Sequence, residues 1–155
     1  MVTTVHLLSG AAIGFATGDV MLAAVTSFTF HYVLDAVPHA SWTPVKNYRE
    51  GGIRRADKID LLIKSLEPLV GLVLVSIFLY IVPAELFWSV FVGIVFGWLP
   101  DALTFLEWKF GILRPPPFRQ FELAYHRHTN SLRGILPQIL VSVGALAYLS
   151  SAVLI

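Results

Sequence analysis

The stretch HYVLDAVPH, residues 31 to 39, places two imidazoles and a carboxylate at the end of an otherwise apolar segment. His31 and Asp35 are four residues apart, so they share one face of a helix. His39 shares that face only if the helix continues through Pro38, and the residue before a proline disfavours helix. Imidazole and carboxylate groups together are typical ligands of zinc and similar divalent metals. The spacing therefore indicates either one wall of a metal site or a His–Asp pair that joins two helices.

Other ionisable groups lie at the same end of the apolar segments as HYVLDAVPH. Ionisable groups inside a membrane are functional candidates by default. Glu67 precedes Pro68, so it has a second interpretation, in which it satisfies backbone groups freed by a proline kink. Because these groups converge, the sequence predicts a bound divalent metal, with Zn²⁺ favoured and about one to three ions. The first-choice ligands are His31, Asp35, Asp101 and His126. A second metal position, or groups that orient the first ligands, would come from His6, His39 and Glu67.

Three residues are candidates for catalysis beside such a metal. His128 or Glu67 could act as general acid or base. Arg127 could neutralise the charge of a phosphate group. A zinc-type ion lowers the pKa of a bound water, so these groups would favour attack by that water on a bound substrate.

The composition of the chain that carries these candidate residues indicates a membrane protein. Hydrophobic residues make up 56% of the 155 residues and charged residues 14%, whereas soluble domains average about a quarter charged residues. The absence of cysteine excludes disulfides and thiolate ligands. We expect an all-α integral membrane bundle of about five helices in a single domain, residues 1–155. The apolar segments run over about 3–17, 20–37, 61–82, 84–99 (with a possible extension to 108) and 134–155.

The basic residues predict how the bundle is oriented. All 11 Lys and Arg lie in or beside two polar connections, residues 40–60 and 109–133. The positive-inside rule then places both connections and the N-terminus in the cytoplasm and the C-terminus outside. We therefore expect a multi-pass protein of the plasma (inner) membrane, whose partners are membrane lipids and not nucleic acid. The basic connections either set this orientation and attract anionic head groups or recruit substrate.

Four segments together resemble a known family: HLLSGAAIG, HYVLDAVPH, GWLPDALTF and HRHTNSL. They are similar to motifs of the small membrane-bound metal-dependent hydrolases of bacteria and archaea, and the matching residues are His6, His31, Asp35, Asp101 and His126. HYVLDAVPH is also distantly similar to an element of zinc phospholipases C and single-strand nucleases. HRHTNSL has His128 where the family has glycine, and Asn130 where it has a second histidine. The resemblance implies a hydrolase, and a site at head-group depth favours a lipid phosphoester as substrate.

Two other functions fit the same residues. The metal site could be structural or belong to a transporter, although the far half of each segment has almost no ionisable group to continue an ion path. The chain could also be a degenerate hydrolase that acts as a membrane adaptor. Apart from these, the series Gly10, Gly14, Gly18 and the pair Gly93, Gly97 have the spacing of closely packed helices.

Overall fold

The computed structural model describes residues 2–39, 58–110, 120 and 132–153, and this part of the chain is all-helical. The prediction of an all-α fold is therefore confirmed. A 3₁₀ turn, Ala84–Leu86, precedes the fourth helix. The five α-helices are α1 (Thr3–Thr17), α2 (Val20–Ala36), α3 (Lys58–Ile81), α4 (Phe87–Phe110) and α5 (Leu132–Val153).

A two-residue turn joins α1 and α2 into an antiparallel hairpin. Gly18 ends α1 with φ of 61°, a left-handed conformation that glycine adopts without the usual Cβ strain. The Asp19 side chain then caps α2 by accepting a hydrogen bond from the Leu22 amide at 2.8 Å. Since both signals are local, the predicted bounds of the first helix are confirmed. The second helix ends at Ala36, two residues before Pro38, as the restriction on residues preceding proline requires.

Helix α4 differs from the prediction at Pro100. The sequence placed a helix end there, with the possibility of continuation, and the structure continues α4 for ten residues to Phe110. A proline removes one backbone hydrogen bond and usually kinks a helix, but it does not have to end one. Asp101 therefore projects from the middle of a helix and not from its end. Pro68 and Pro137 likewise lie inside α3 and α5.

Helix α1 is the centre of the fold, since it packs against each of the other four helices. Its closest neighbour is α4. A Cβ on Gly10 would collide with the Gly93 carbonyl group, and a Cβ on Gly93 would collide with the Gly10 carbonyl oxygen. The glycine spacing thus marks close packing, as predicted. The buried core around this contact combines α1, α3, α4 and α5 residues, among them Leu7, Leu8, Val75, Phe78, Val90, Ile94, Ala145 and Leu149.

The outer faces of the helices are largely apolar. Two segments of the described chain, Ala84–Glu107 and Gly134–Ser151, are long and apolar enough to cross a membrane. Val20–Ala36 and Leu66–Ile81 are shorter apolar helices. Large apolar side chains are exposed on these helices, including Met21, Val25, Leu69, Ile77, Trp88, Leu140 and Val143.

Candidate metal centre

The α1–α2 hairpin brings His6 and His31 into direct contact. Each residue lies twelve positions from the turn, His6 before Gly18 and His31 after Asp19, so the antiparallel helices place them side by side. Their imidazole rings stack, with centroids 3.9 Å apart and planes 25° from parallel. Both residues are buried: His6 has no exposed surface, and His31 is 3% exposed. The hairpin thus presents two imidazoles at one point.

Asp35 lies between the two imidazoles and uses a separate oxygen for each. Its Oδ1 is 3.2 Å from His6 Nε2, and its Oδ2 is 3.3 Å from His31 Nε2. The second contact follows from the i, i+4 spacing on α2. Since Asp35 is also buried, bulk water cannot screen its charge. A carboxyl group in this position stays ionised only if hydrogen bonds or a positive charge compensate for the lost water.

Asp101 completes the group from a third helix, α4. Its Oδ1 is 3.9 Å from His31 Nε2, and its side chain is 29% exposed. One donor atom from each of His6, His31, Asp35 and Asp101 lies within 4.8 Å of the other three. Three of these four side chains are buried and one reaches the surface, so the group has a closed side and an open side.

The Gly97 carbonyl fixes the protonation of His31. The Gly97 oxygen lies 2.8 Å from His31 Nδ1, and a carbonyl oxygen can only accept, so Nδ1 carries the proton. In neutral His31 the lone pair is then on Nε2, the atom that faces Asp35 and Asp101. A lone pair directed at two carboxylates is repelled unless a second proton or a metal cation lies between them. Backbone carbonyls orient many metal-ligating histidines in this way.

His6 is the second sign that a cation belongs in this site. Neither ring nitrogen of His6 has a well-aligned hydrogen bond in the part of the chain that the structure describes. Nε2 is within ion-pair distance of Asp35, but the alignment of a hydrogen bond is missing. Buried polar groups without partners are rare because they are costly. A cation bound by His6 Nε2 would remove part of this cost.

The donor set fits a borderline divalent metal. Two imidazole nitrogens and two carboxylate oxygens suit Zn²⁺, and also Mn²⁺, Fe²⁺ or Co²⁺. His6, His31 and Asp35 would be ligands, and Asp101 would be either the fourth ligand of a closed site or the acceptor for a metal-bound water in an open one. Their net charge with neutral imidazoles is that of two carboxylates, which a divalent cation balances. Neither Mg²⁺ nor Ca²⁺ is favoured, since both prefer oxygen ligands alone.

The structure brings four of the predicted ligands together and leaves two outside the group. His39 is buried, and its Nδ1 lies 2.9 Å from the Val37 carbonyl oxygen. Glu67 lies at the N-terminus of α1, where its carboxylate accepts backbone hydrogen bonds. It does satisfy backbone groups, but those of another helix and not of its own proline kink. The predicted residues His126, Arg127 and His128 lie outside the described residues.

Sequence reasoning missed the Gly97 carbonyl, because a backbone acceptor leaves no trace in residue types. It also missed Gln138 of α5, which is buried and accepts a hydrogen bond from the amide of Val2, the residue before α1. A buried glutamine beside Pro137 in an apolar helix is a signal that could have indicated it.

No family model, curated protein or solved structure matches the chain.

Proposed function

We propose that the chain is a membrane-embedded metal-dependent hydrolase that acts on a phosphoester of a lipid or of another membrane-associated molecule. The observation that carries the proposal is the sharing of Asp35 by two stacked imidazoles, with Asp101 as a partly exposed fourth group. This arrangement combines a metal-ligand set with an edge that water can reach.

A metal is a better explanation of the arrangement than a proton shared within a His–Asp pair. An extra proton on His31 would satisfy Asp35, yet it would leave both ring nitrogens of His6 without an aligned partner among the described residues. A divalent ion would bind Nε2 of both imidazoles and balance the charge of both carboxylates at once. Burial of an ion pair alone is often no gain in stability, because desolvation offsets the attraction.

The open side favours catalysis over a purely structural role. Structural zinc sites are closed by four protein ligands, whereas catalytic sites keep a position for water. His6, His31 and Asp35 form the buried side, while Asp101 is at the edge. When bound, the metal would supply a more acidic water and would polarise the phosphoryl oxygen. Asp101 would orient that water by accepting its hydrogen bond. Arg127 and His128, from the second polar connection, are the proposed groups for phosphate charge and proton transfer.

The membrane setting is supported by the apolar outer faces of the helices. Large exposed apolar side chains are spread over α2, α3, α4 and α5, and a soluble monomer rarely exposes such extended apolar surface. With five spans, the one-sided distribution of the 11 cations favours a cytoplasmic N-terminus. The proposed enzyme is then a multi-pass protein of the plasma membrane, with its metal centre at the cytoplasmic head-group level.

The second candidate is a structural or transport-related metal site without hydrolysis. The burial of three of the four ligands favours it, because a metal enclosed by α1, α2 and α4 would lock these helices together. A former hydrolase that has lost its activity and acts as a membrane adaptor is a variant of this second candidate.

Metal analysis and one substitution test the proposal. Protein purified in detergent should contain close to one equivalent of Zn²⁺ or a similar metal per chain, measured by mass spectrometry. Asp35→Asn should lose this metal, whereas Glu85→Gln, which changes an exposed carboxylate outside the group, should retain it. The parent should also release phosphate or head group from at least one member of a lipid phosphoester panel, and Asp35→Asn should not.

The outcomes separate the candidates. A folded parent without metal rejects both metal-dependent functions. Metal in the parent together with no hydrolysis of any lipid phosphoester favours the non-enzymatic site. Hydrolysis that persists unchanged in metal-free Asp35→Asn contradicts the proposed chemistry.

A further inference from the structure

The N-terminus of α1 is capped by side chains of other helices and not by its own residues. The first four amides of a helix have no partner within that helix, and the N-cap residue here, Val2, has no side chain that could accept. The Val5 amide bonds to the Val2 carbonyl oxygen at 3.1 Å. The other three amides, those of Val2, Thr3 and Thr4, are bound by α5 and α3.

Glu67 of α3 supplies two of these bonds. Its Oε1 accepts from the Thr4 amide at 2.5 Å, and its Oε2 accepts from the Thr3 amide at 3.2 Å. The Thr4 hydroxyl donates to the Glu67 carbonyl oxygen at 2.8 Å. A negative charge at a helix N-terminus also interacts favourably with the helix dipole. Both carboxylate oxygens of Glu67 are therefore engaged, and the first turn of α1 is tied to α3.

Gln138 of α5 supplies the remaining bond. Its Oε1 accepts from the Val2 amide at 3.2 Å, while its Nε2 donates to the Gly134 carbonyl oxygen at 2.9 Å. The second bond orients the amide group so that its oxygen points at α1. Gln138 carries no charge, so its bond should be weaker than those of Glu67.

His6 follows these anchored residues directly. It lies two positions after Thr4, within the same first turns of α1, and a Cβ on Gly97 would lie only 2.8 Å from its carbonyl oxygen. The position of α1 along its axis is thus set by Glu67 on one side and limited by α4 on the other. A shift of α1 along that axis would move His6 Nε2 relative to Asp35 Oδ1, now 3.2 Å away.

We infer that Glu67 is a positioning residue of the metal centre. It fixes the position of α1 along its axis, so that the His6 imidazole reaches the metal. The inference rests on the proposed function, because it assumes that His6 is a ligand. It assigns to Glu67 a role through α1 and not a bond to the metal. Gln138 supports the same position from α5.

Cobalt binding tests the inference. Co²⁺ is titrated into metal-free parent, Glu67→Gln and the control Glu85→Gln, with the visible absorption spectrum as readout of the ligand set. Glu67→Gln keeps the shape of the side chain but loses its charge and one acceptor. Groups that orient metal ligands change affinity by about 10- to 100-fold when mutated. We expect at least about a 10-fold weaker Co²⁺ affinity and a changed spectrum for Glu67→Gln, and neither change for Glu85→Gln.

A double-mutant cycle shows whether Glu67 acts through His6. In a His6→Ala background, Glu67→Gln should change the Co²⁺ dissociation constant by less than about twofold, since the group that it positions is already gone. If Glu67→Gln fails to fold, Gln138→Ala replaces it in the same cycle, with a smaller expected effect.

Each outcome decides between the two proposals. A parent that binds Co²⁺ and a folded Glu67→Gln with the parent's affinity and spectrum would overturn the inference alone. An equal loss of affinity in the parent and His6→Ala backgrounds would do the same, because it indicates general destabilisation. A parent that binds no Co²⁺ would overturn the proposed metal centre and this inference with it.

Discussion

Replacement of Gly97 by alanine should separate α1 from α4 at the level of the metal centre. The added Cβ would lie 2.8 Å from the His6 carbonyl oxygen and 3.2 Å from the Gly10 Cα. Carbon–oxygen contacts are ordinarily about 3.3 Å or longer, so the helices would have to move apart by about 0.5 Å. Both obstructing atoms belong to the backbone, and no side-chain rotation can relieve the collision. The displacement exceeds the tolerance of about 0.2 Å within which metal–ligand distances are held.

The free energy of unfolding should fall for the same reason. Alanine stabilises a helix interior by about 1 kcal/mol relative to glycine, whereas overpacking costs about 1–3 kcal/mol. The expected net result for Gly97→Ala is a loss of up to about 2 kcal/mol together with weaker Co²⁺ binding. Denaturant unfolding in mixed micelles and a Co²⁺ titration measure the two quantities.

Gly144→Ala is the matched control. This glycine also lies inside a helix, α5, but a Cβ there has no neighbour within 4 Å among the described residues. The same substitution should therefore raise the free energy of unfolding by up to about 1 kcal/mol and leave Co²⁺ binding unchanged. Equal stability of the two variants, with parental Co²⁺ binding in Gly97→Ala, would refute the argument from close approach.

Three other perturbations should change the stability of the detergent-purified protein, as measured by thermal or denaturant unfolding. Ser27→Ala should raise the free energy of unfolding by about 1 kcal/mol, because the buried Ser27 hydroxyl has no partner among the described residues. Ser89→Ala is its matched control and should lower stability, since the equally buried Ser89 hydroxyl donates to a carbonyl of the 3₁₀ turn at 2.9 Å. Asp19→Ala should cost about 1 kcal/mol through loss of the α2 cap; an unchanged midpoint would contradict this. Chelation should lower the unfolding temperature of the parent but not of Asp35→Asn.

The hairpin and half of the metal centre could be predicted from the sequence because their signals are local. The Gly18–Asp19 turn fixes where α1 ends and α2 begins. The i, i+4 spacing places His31 and Asp35 on one face. His6 and Asp101 are predicted only from the tendency of ionisable groups in membrane helices to face the bundle interior, which does not distinguish them from Glu67 and His39.

The remaining features depend on contacts between helices that are remote in sequence. Glu67 has the residue type of a ligand, and only the position of α1 beside α3 shows that its oxygens meet backbone amides. The course of α4 through Pro100 is decided by packing against α1 and α2, which overrides the local preference of proline. The His31–Gly97 bond joins residues 66 positions apart, and no pattern of side chains reports it.

The chain order of the ligands has a consequence for biosynthesis. Three of the four groups, His6, His31 and Asp35, belong to one helical hairpin within the first 36 residues. Contacts between segments so close in sequence form early and rapidly. Asp101 and the Gly97 carbonyl arrive only with α4, so a complete coordination shell can exist only after α4 has docked on the hairpin. Metal retention would then report correct assembly, because only a chain in which α1 and α4 are packed together would hold the ion.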